Sequence, residues 1–545
     1  MIKKLLDPTF SITLPLGVFR KLVRLLDTYS FIILVCILSA ISVFSFLFYL
    51  DNGLGLAYND ARSHLDIGRR VVEGLKPGLA QLGSVWLPLP HLLMVPTIWS
   101  DFFWHTGLSG ALQSMISFVA TGLLIFYFLR KLGIGLVGGF FAVFVFVANI
   151  NILYLQSTAM TELLLLATMT AGVFELVMWA KNNQMVSLIH AGFFIMLSTL
   201  IRYDGWFLLF VSTILIGLLM FKKKGFKAME GTLFFFLTLA SLGIILWVLW
   251  NLVIFKDPLY FAYGPYSAHA QQEQLDQAGI LATKNNLPLS LIVYIYALSY
   301  NSYTPAVVLG FIGFIFFLLD KKLSANVKIA SLALLAPFAF NVLAMYLGHS
   351  VLFIQGFLGG TWFNVRYGLM MAPSIAIFIG YLVGRASNGL KVSIIGLYSF
   401  MVMFAFLNGD AVTLDDARVG SSQKNVTEVS GWLNENTKDE EGFILISAAS
   451  HDAIIFSSGL PMKRYIHEGT GAYWESATTA PDRWARWIVM RTNDNNDQTF
   501  KLVNQTGALP KYDLVDSYPF ADIYQLKSEY LSTLQTKPVY EGKQR

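Results

Sequence analysis

The apolar run FIILVCILSAISVFSFLFYL, residues 31–50, is followed at residues 58–74 by the charged stretch YNDARSHLDIGRRVVEG. The first segment has the roughly 20 apolar residues that a membrane-spanning helix needs. The second gathers acids, arginines and a histidine in a chain that is only 13% charged and 55% hydrophobic. A soluble protein would carry about 25% charged residues. The composition therefore predicts an α-helical polytopic membrane protein with charge concentrated just outside the membrane.

Further apolar runs predict about eleven spanning helices in total. We place them near residues 31–50, 108–129, 134–150, 160–180, 185–200, 206–221, 231–254, 303–319, 329–346, 368–384 and 391–408, with 288–300 as a twelfth span or an interfacial helix. Lysines and arginines mark alternate loops, such as 222–224 and 321–322, and basic loops are cytoplasmic. The segment 1–30 is then cytoplasmic, whereas the first long loop, 51–107, and all residues after 408 face outward.

The region 411–545 differs in character from the apolar region 31–410. Charge and asparagine content rise, and the apolar runs shorten to strand length at 443–447, 486–490 and 522–527. These features predict a C-terminal extracytoplasmic α/β domain. The net charge of +5 comes from basic residues in short loops, so no nucleic-acid partner is expected, and the single cysteine excludes an intrachain disulfide.

The stretch from Asp60 to Leu75 fits an amphipathic helix that lies on the outer membrane surface. Asp66–Arg70 and Arg69–Glu73 have the i,i+4 spacing of ion pairs on a helix surface. Asp60 opens this helix and, taken alone, is most simply explained as its N-cap. The loop 51–107 is therefore predicted to run as interfacial helices.

Four separate outward turns nevertheless place charge at one face of the predicted bundle. They contribute Asp60, Glu162, Arg202 with Asp204, and Arg366 with Tyr367. A carboxylate at membrane depth costs several kcal/mol unless it is hydrated or paired. Acids and arginines together suit an anionic headgroup with a base or a divalent cation. His91, in the same loop as Asp60, is either a metal ligand or a hydrogen-bonded interfacial histidine, and we favour the second.

These residues resemble the GT-C superfamily of polytopic glycosyltransferases. They are most similar to the family-39-like branch, which contains protein O-mannosyltransferases and lipid A aminoarabinose transferases. The resemblance covers about residues 30–410 and is carried by Asn59-Asp60 after the first span, Glu162 in AMTE, and Arg366-Tyr367 before a late span. Two departures are visible. Asn59 replaces one acid of the usual acidic pair, and the stretch GSVWLPLPH, residues 83–91, lacks the acid that the aminoarabinose transferases carry there.

The resemblance implies a GT-C type fold and the transfer of a sugar from a polyprenyl-phosphate donor to a glycan, lipid or protein acceptor, with inversion. It implies Asp60 and Glu162 as catalytic residues. It implies a donor- and phosphate-binding role for Arg366 and Tyr367, and to this set we add Arg202, Asp204 and His91 from the other outward segments. A divalent cation, held by Asp60 and Glu162, is left open. The expected setting is a bacterial or archaeal plasma membrane, with the site and the C-terminus outside and membrane lipids as neighbours.

Two other classes of function compete with this interpretation. A transporter or lipid flippase would place polar groups near mid-membrane beside broken helices, a pattern that the sequence does not favour. A membrane-anchored sensor would use the outer α/β domain, in which HEGTGAYW, residues 467–474, forms a glycine-containing turn flanked by aromatic residues. A sensor would not need eleven spans, and we therefore prefer the transferase.

Overall fold

The computed structural model describes residues 16–264, 267–419 and 423–539. Of the expected cytoplasmic segment 1–30, residues 1–15 lie outside these ranges. Seven helices within the described ranges are long and apolar enough to cross a membrane, or up to nine if each of two bent helix pairs counts as one span. The seven are Arg24–Asp51, Leu108–Lys131, Glu162–Asn182, Tyr203–Lys224, Ala325–Tyr346, Val365–Arg385 and Asn388–Val419.

The first part of the chain is helical. Its helices are α1 Leu16–Asp51, α2 Asn59–Val72, α3 Leu89–Ile98, α4 Asp101–His105, α5 Leu108–Lys131, α6 Leu136–Val147, α7 Ile150–Leu155, α8 Glu162–Asn182, α9 Met185–Thr199, α10 Tyr203–Lys224, α11 Phe226–Ala240, α12 Leu242–Phe255, α13 Tyr260–Tyr263, α14 Ala268–Gln277, α15 Leu287–Ser302, α16 Thr304–Leu319, α17 Ala325–Ser331, α18 Ala336–Tyr346, α19 Ala372–Arg385, α20 Asn388–Asn408 and α21 Val412–Val419. A short 3-10 helix, Val365–Met371, leads into α19, and the strands β1 Phe353–Ile354 and β2 Leu358–Phe363 form a small hairpin before it.

Each of the eleven expected spans falls on a helix. Three are shorter than a full span, because α6 has 12 residues, α9 has 15 and α16 has 16. The expected span 231–254 is the bent pair α11 and α12, which meet at 48°. The segment 288–300, expected as a twelfth span or an interfacial helix, is α15, which meets α16 at 109°.

Burial separates the central spans from the peripheral ones. The spans Val365–Arg385 and Glu162–Asn182 are 89% and 78% buried within the protein, whereas Arg24–Asp51 and Asn388–Val419 are only 28% and 22% buried. The peripheral helices expose large apolar side chains such as Phe44 and Leu407, as expected where lipid is the solvent. The two central spans begin with Glu162 and with the turn that carries Arg366, so both residues lie at the ends of well-buried helices.

The last part of the chain forms a mixed sheet with helices around it. Its elements are α22 Gln423–Thr437, β3 Phe443–Ile446, α23 Ala448–Ser457, β4 Tyr465–Ile466, α24 Ala472–Thr479, α25 Pro481–Trp484, β5 Ala485–Met490, α26 Gln498–Thr506, β6 Tyr512–Ser517 and β7 Asp522–Leu526. The strand order is β4-β3-β5-β7-β6, with β4, β3 and β5 parallel and the other two strands antiparallel. The three predicted strands are β3, β5 and β7, all nearly fully buried. The division at residue 410 stays a prediction.

The sequence pattern suggested that helix α2 lies on a free surface, but in the structure it does not. It packs against α3 on one side and against α23 of the sheet domain on the other. Of the two expected i,i+4 pairs, Arg69–Glu73 forms, but Arg70 bonds Asp452 of α23 at 3.0 Å. Asp66 is fully buried and accepts a hydrogen bond from the Trp104 indole at 3.1 Å. The charged face of α2 is therefore the surface against which the sheet domain packs.

Asp66 and Asp452 form a buried carboxyl pair at this junction. The second oxygen of Asp66 has no hydrogen-bond donor among the described residues and faces the Asp452 carboxylate. Burial, and then the charge of Asp452, raises the pKa of Asp66 well above its ordinary value. Burial likewise raises the pKa of Asp452, to about 6, against the opposing charge of Arg70. The two carboxyl groups therefore share a proton near neutral pH.

The shared proton makes the stability of the junction dependent on pH. Because the folded protein holds this proton more tightly than the unfolded chain, the contribution to stability is full below the ordinary carboxyl pKa of about 4. The contribution declines as the pH rises above that value, through about 6, where Asp452 ionises, and on to the higher pH at which Asp66 loses the shared proton. Asp66→Asn supplies a permanent N–H donor to Asp452. We expect the melting temperature of this variant to exceed that of the wild type at pH 7.5, by the equivalent of about 1 kcal/mol, and to approach it at pH 5.

The measurement is thermal unfolding of the purified protein in detergent at both pH values. Asp101→Asn is the matched control, because Asp101 also pairs with α2, through Arg69, but its side chain is 75% exposed. A difference between Asp66→Asn and the wild type that does not change with pH would rule out the shared proton.

Candidate active site

Six of the seven residues singled out for the site meet at one end of the helical bundle, the end on which the sheet domain sits. We call this the domain-bearing end. The six come from the start of α2, the start of α8, the turn before α10 and the 3-10 helix before α19. They are Asp60, Glu162, Arg202, Asp204, Arg366 and Tyr367. Residues far apart in the sequence thus form one cluster of charge.

Arg366 is the centre of the cluster. Its Nη2 donates to Asp60 Oδ2 at 2.6 Å, and its Nε donates to Glu162 Oε1 at 3.1 Å. The Arg366 side chain is 7% exposed and that of Glu162 is fully buried, whereas the Asp60 side chain is 43% exposed. Asp60 is the second residue of α2 and not its N-cap. Its side chain pairs with Arg366 instead. Solvent therefore reaches Arg366 from the side on which Asp60 lies.

A second arginine binds the same carboxylate oxygen. Arg202 Nη1 donates to Glu162 Oε1 at 3.2 Å, and Arg202 Nε donates to Asp204 Oδ2 at 3.3 Å. Burial opposes the charge on Arg202, but Asp204 and Glu162 outweigh this effect and hold the pKa of Arg202 above its ordinary value. Glu162 is therefore a bridge that keeps two guanidinium groups side by side.

Aromatic rings cover the faces of the two guanidinium groups. The Tyr367 ring centroid lies 4.9 Å from the Arg202 guanidinium carbon and 5.3 Å from that of Arg366. The Tyr58 ring lies 4.9 Å from the same atom of Arg366. Such cation–π contacts leave the N–H edges of a guanidinium free for in-plane hydrogen bonds. The rings thus direct both arginines toward anionic oxygens.

Close backbone packing places the turn that carries Arg366. A Cβ on Gly368 would lie 2.3 Å from the Ala297 carbonyl oxygen of α15, so only glycine lets the turn approach that helix. Asn301, also on α15, donates to the Val365 carbonyl at 2.7 Å. Asn149 donates in turn to the Asn301 carbonyl at 2.8 Å. The residue before Arg366 is therefore fixed by buried hydrogen bonds.

The turn that carries Arg202 depends on glycine in the same way. A Cβ on Gly205 would lie 2.3 Å from the backbone of Ser198, at the end of α9. The close approach of α10 to α9 sets Arg202 and Asp204 beside the start of α8. The sequence IRYDGW thus combines the charged pair with the glycine that lets it reach Glu162.

Asp416 completes the cluster, and the sequence analysis missed it. This residue of α21 is 4% exposed, lies 3.9 Å from Arg366 Nη1, and accepts a hydrogen bond from the Tyr58 hydroxyl at 3.1 Å. Thr413 anchors α21 by donating from its hydroxyl to Asn151 at 2.8 Å. The available signal was the acidic pair Asp415-Asp416, which follows the last apolar run just as Asp60 follows the first.

His91 is the one selected residue that lies outside the cluster. It is fully buried, and its Nε2 lies 2.8 Å from Nδ1 of His64, which agrees with the favoured interpretation as a hydrogen-bonded histidine. His64 stands between His91 and the arginines and feels the charges of both Arg202 and Arg366. The sequence pattern alone did not single out His64 as a site residue. Its i+4 position after Asp60 was the signal that it shares the site.

The cluster does not fit a divalent cation in this arrangement. Asp60 and Glu162, the two residues considered as ligands, are both engaged by Arg366. Calcium takes six to eight oxygens, and magnesium also takes six ligands, several of them water. Among the described residues, no three Asp, Glu, His or Cys side chains gather as a candidate metal site. A cation would have to displace the Arg366 guanidinium from both carboxylates.

The cluster instead suits the replacement of one anion by another, because the two guanidinium groups are held in fixed positions. Two arginines face four carboxylates, those of Asp60, Glu162, Asp204 and Asp416. An incoming anion can replace Asp60, the most exposed of the four, at little structural cost. The arrangement therefore offers a binding place for a phosphate and, beside it, a carboxylate that is freed when the phosphate binds.

The bridging role of Glu162 predicts a large effect of a small change. Glu162→Gln leaves two buried guanidinium groups without their shared anion, and breaking a buried ion pair costs about 3–5 kcal/mol. We expect a melting temperature far below that of the wild type in detergent. Glu175→Gln is the control on the same helix, because Glu175 lies 3.6 Å from His190, whose side chain is 52% exposed, so this change leaves no buried cation without its partner. Equal melting temperatures for the two variants would contradict the bridge.

Comparisons with known proteins bear on the fold. No family model matches the sequence, and no curated protein matches it. Two crystal structures of ArnT from Cupriavidus metallidurans, one in the apo state and one bound to undecaprenyl phosphate, superpose with a TM-score of 0.54 at 10% identity. They cover 92% of this chain, together with 99% of the apo chain and 98% of the lipid-bound chain. An Archaeoglobus fulgidus oligosaccharyltransferase in the apo form gives 0.48 at 13% identity, over 92% of this chain and 75% of its own. The ArnT superposition shows that this chain has the GT-C fold of an integral, multi-pass membrane protein.

Proposed function

We propose that the protein is a membrane glycosyltransferase that moves a sugar from a polyprenyl-phosphate donor to a hydroxyl of a glycan, lipid or protein acceptor. The observation that carries the proposal is the pair of aligned guanidinium groups, Arg366 and Arg202, held by the buried Glu162 at the domain-bearing end of a GT-C fold. Support comes from ArnT, which has a similar fold and was crystallised with undecaprenyl phosphate. The distribution of basic loops in the sequence supports an outer-face location for this end of the bundle.

The reaction is an inverting displacement at the anomeric carbon of the donor sugar. The acceptor oxygen forms a bond to that carbon, and the bond from the carbon to the phosphate oxygen breaks with its electron pair. The hydroxyl proton passes to the Asp60 carboxylate. The leaving polyprenyl phosphate gains one negative charge, which Arg366 and Arg202 neutralise by charge-assisted hydrogen bonds. A phosphate needs no strong general acid to leave.

Donor binding is an ion exchange in this mechanism. At rest Arg366 holds Asp60 at 2.6 Å, so the carboxylate is engaged in an ion pair. The donor phosphate takes over the Nη2 edge of the guanidinium, and Asp60, on the exposed side, becomes free to accept a proton. Binding of the donor therefore fills the phosphate site and frees the base at the same time.

Glu162 and Asp204 act through the arginines. Both side chains are almost fully buried, and each binds a guanidinium group. We assign them to positioning, because neither side chain reaches the exposed side of Arg366. Tyr367, half-buried over both cations, borders the same phosphate site.

The phosphate site predicts opposite effects of two substitutions on the binding of undecaprenyl phosphate. Arg366→Ala should weaken binding at least tenfold, and Arg366→Lys should recover it only in part, because lysine lacks the paired N–H donors of arginine. Asp60→Asn should tighten binding several-fold, because it removes the competing carboxylate. The measurement is the dissociation constant for the purified protein in detergent. Arg130→Ala, which breaks the exposed pair with Asp27, should leave it unchanged. Weaker binding in both Asp60→Asn and Arg366→Ala would refute the exchange.

If Asp60 is the catalytic base, its replacement should lower turnover without impairing folding. Asp60→Asn removes the proton acceptor, and a placed general base contributes about 10²- to 10⁴-fold. We expect a rate loss of that size for transfer from an undecaprenyl-phosphate sugar, at a melting temperature close to that of the wild type. Asp51→Asn, at the exposed end of α1, is the control and should keep full activity. Wild-type turnover in Asp60→Asn would exclude this residue as the base.

A further inference from the structure

His64 is a buried side chain at the edge of the site that the proposed mechanism does not use. It is 6% exposed and lies on α2, one helical turn beyond Asp60. Its Nδ1 lies 2.8 Å from His91 Nε2, and the ring of Trp86 packs against it with centroids 4.2 Å apart. No hydrogen bond to its Nε2 occurs within the described residues. One nitrogen of His64 is therefore held by the protein, and the other is available to a ligand.

The hydrogen bond between the two histidines determines which nitrogen of His64 carries the proton. His91 Nδ1 is buried and faces the Leu87 carbonyl one turn earlier, in a geometry too poor for a full hydrogen bond. A proton on this Nδ1 is attracted to the carbonyl oxygen, whereas a lone pair would be repelled by it. His91 Nε2 is then an acceptor, and His64 Nδ1 must donate to it. His64 Nε2 consequently carries a lone pair.

Both imidazoles are neutral. Burial, with the positive charges of Arg202 and Arg366, lowers the pKa of His64 to about 3. Burial likewise lowers the pKa of His91 well below its ordinary value. A neutral imidazole with a lone pair at Nε2 repels phosphate oxygens and attracts a hydroxyl hydrogen. His64 thus complements the arginines: they bind anionic oxygens, and it binds an O–H group.

We propose that His64 Nε2 accepts a hydrogen bond from a hydroxyl of the sugar on the lipid-linked donor, so that His64 is a specificity residue for that sugar. The inference rests on the proposed function, because the phosphate on Arg366 brings its sugar beside α2. The partly exposed Trp86 fixes the imidazole plane and offers an apolar face to the same ring. His91 acts through His64 by fixing its tautomer.

The binding test separates the sugar from the phosphate. Two probes are titrated into the purified protein in detergent: undecaprenyl phosphate, and a panel of its monosaccharide esters carrying hexoses and pentoses. His64→Phe keeps a ring against Trp86 but removes the lone pair. It should leave the affinity for undecaprenyl phosphate unchanged and lower the affinity for the preferred glycoside about tenfold. His64→Gln, whose amide oxygen can accept a hydrogen bond, should recover most of that loss.

The outcomes distinguish this inference from the proposed function. If the wild type binds neither probe, the proposed function fails. If both probes bind and His64→Phe weakens them equally, or weakens neither, the sugar contact is wrong although the phosphate site stands. A second measurement uses only the wild-type protein, so it does not depend on the folding of a variant. The ¹⁵N spectrum of histidine-labelled protein should show His64 protonated at Nδ1 and unprotonated at Nε2 from pH 5 to pH 8, and a proton on Nε2 would overturn the inference.

Discussion

The bond on which the rest of the site depends is the one from Glu162 to both Arg366 and Arg202, at 3.1 and 3.2 Å. Two guanidinium groups repel each other strongly in a low-dielectric setting unless an anion lies between them. Glu162 supplies that anion from the first turn of a central span, where the helix dipole also favours a carboxylate. The glycine contacts at Gly205 and Gly368 are what let the two turns reach it.

Helix α2 joins this cluster to the sheet domain. Asp60 at its start bonds Arg366, His64 one turn later lies beside both arginines, and Asp66 and Arg70 hold α23. The end of the chain contributes from the other side, because Asp416 of α21 touches Arg366 and Tyr58. Movement of the sheet domain relative to the bundle would therefore displace Asp60 and His64 together. The sheet domain is part of the framework of the site rather than a separate module.

The membrane character and the gathering of Asp60, Glu162, Arg202 and Arg366 could be predicted from the sequence, because unpaired charge is so costly at membrane depth that isolated polar turns imply partners. The surroundings of α2 could not. Its alternation of apolar and charged residues is the same whether the charged face meets water or another domain, so Asp66 was expected on a surface and His64 was not singled out. Asp416 was missed for a related reason. It follows the last span and was counted with the domain, although the chain folds back over the bundle before the domain begins.

The excess of carboxylates over guanidinium groups has a consequence for the proposed reaction. Asp60 and the donor phosphate compete for the same edge of Arg366, so each lowers the affinity of the other. In the absence of donor, Asp60 is paired with Arg366; in the proposed reaction, donor binding releases it. Free base and bound donor therefore occur together. Once the sugar has left, the phosphate carries an additional charge close to Glu162, Asp204 and Asp416. Asp60, whose side chain is 43% exposed, then loses the proton it accepted to water, and its restored charge competes for Arg366 and favours release of the product lipid.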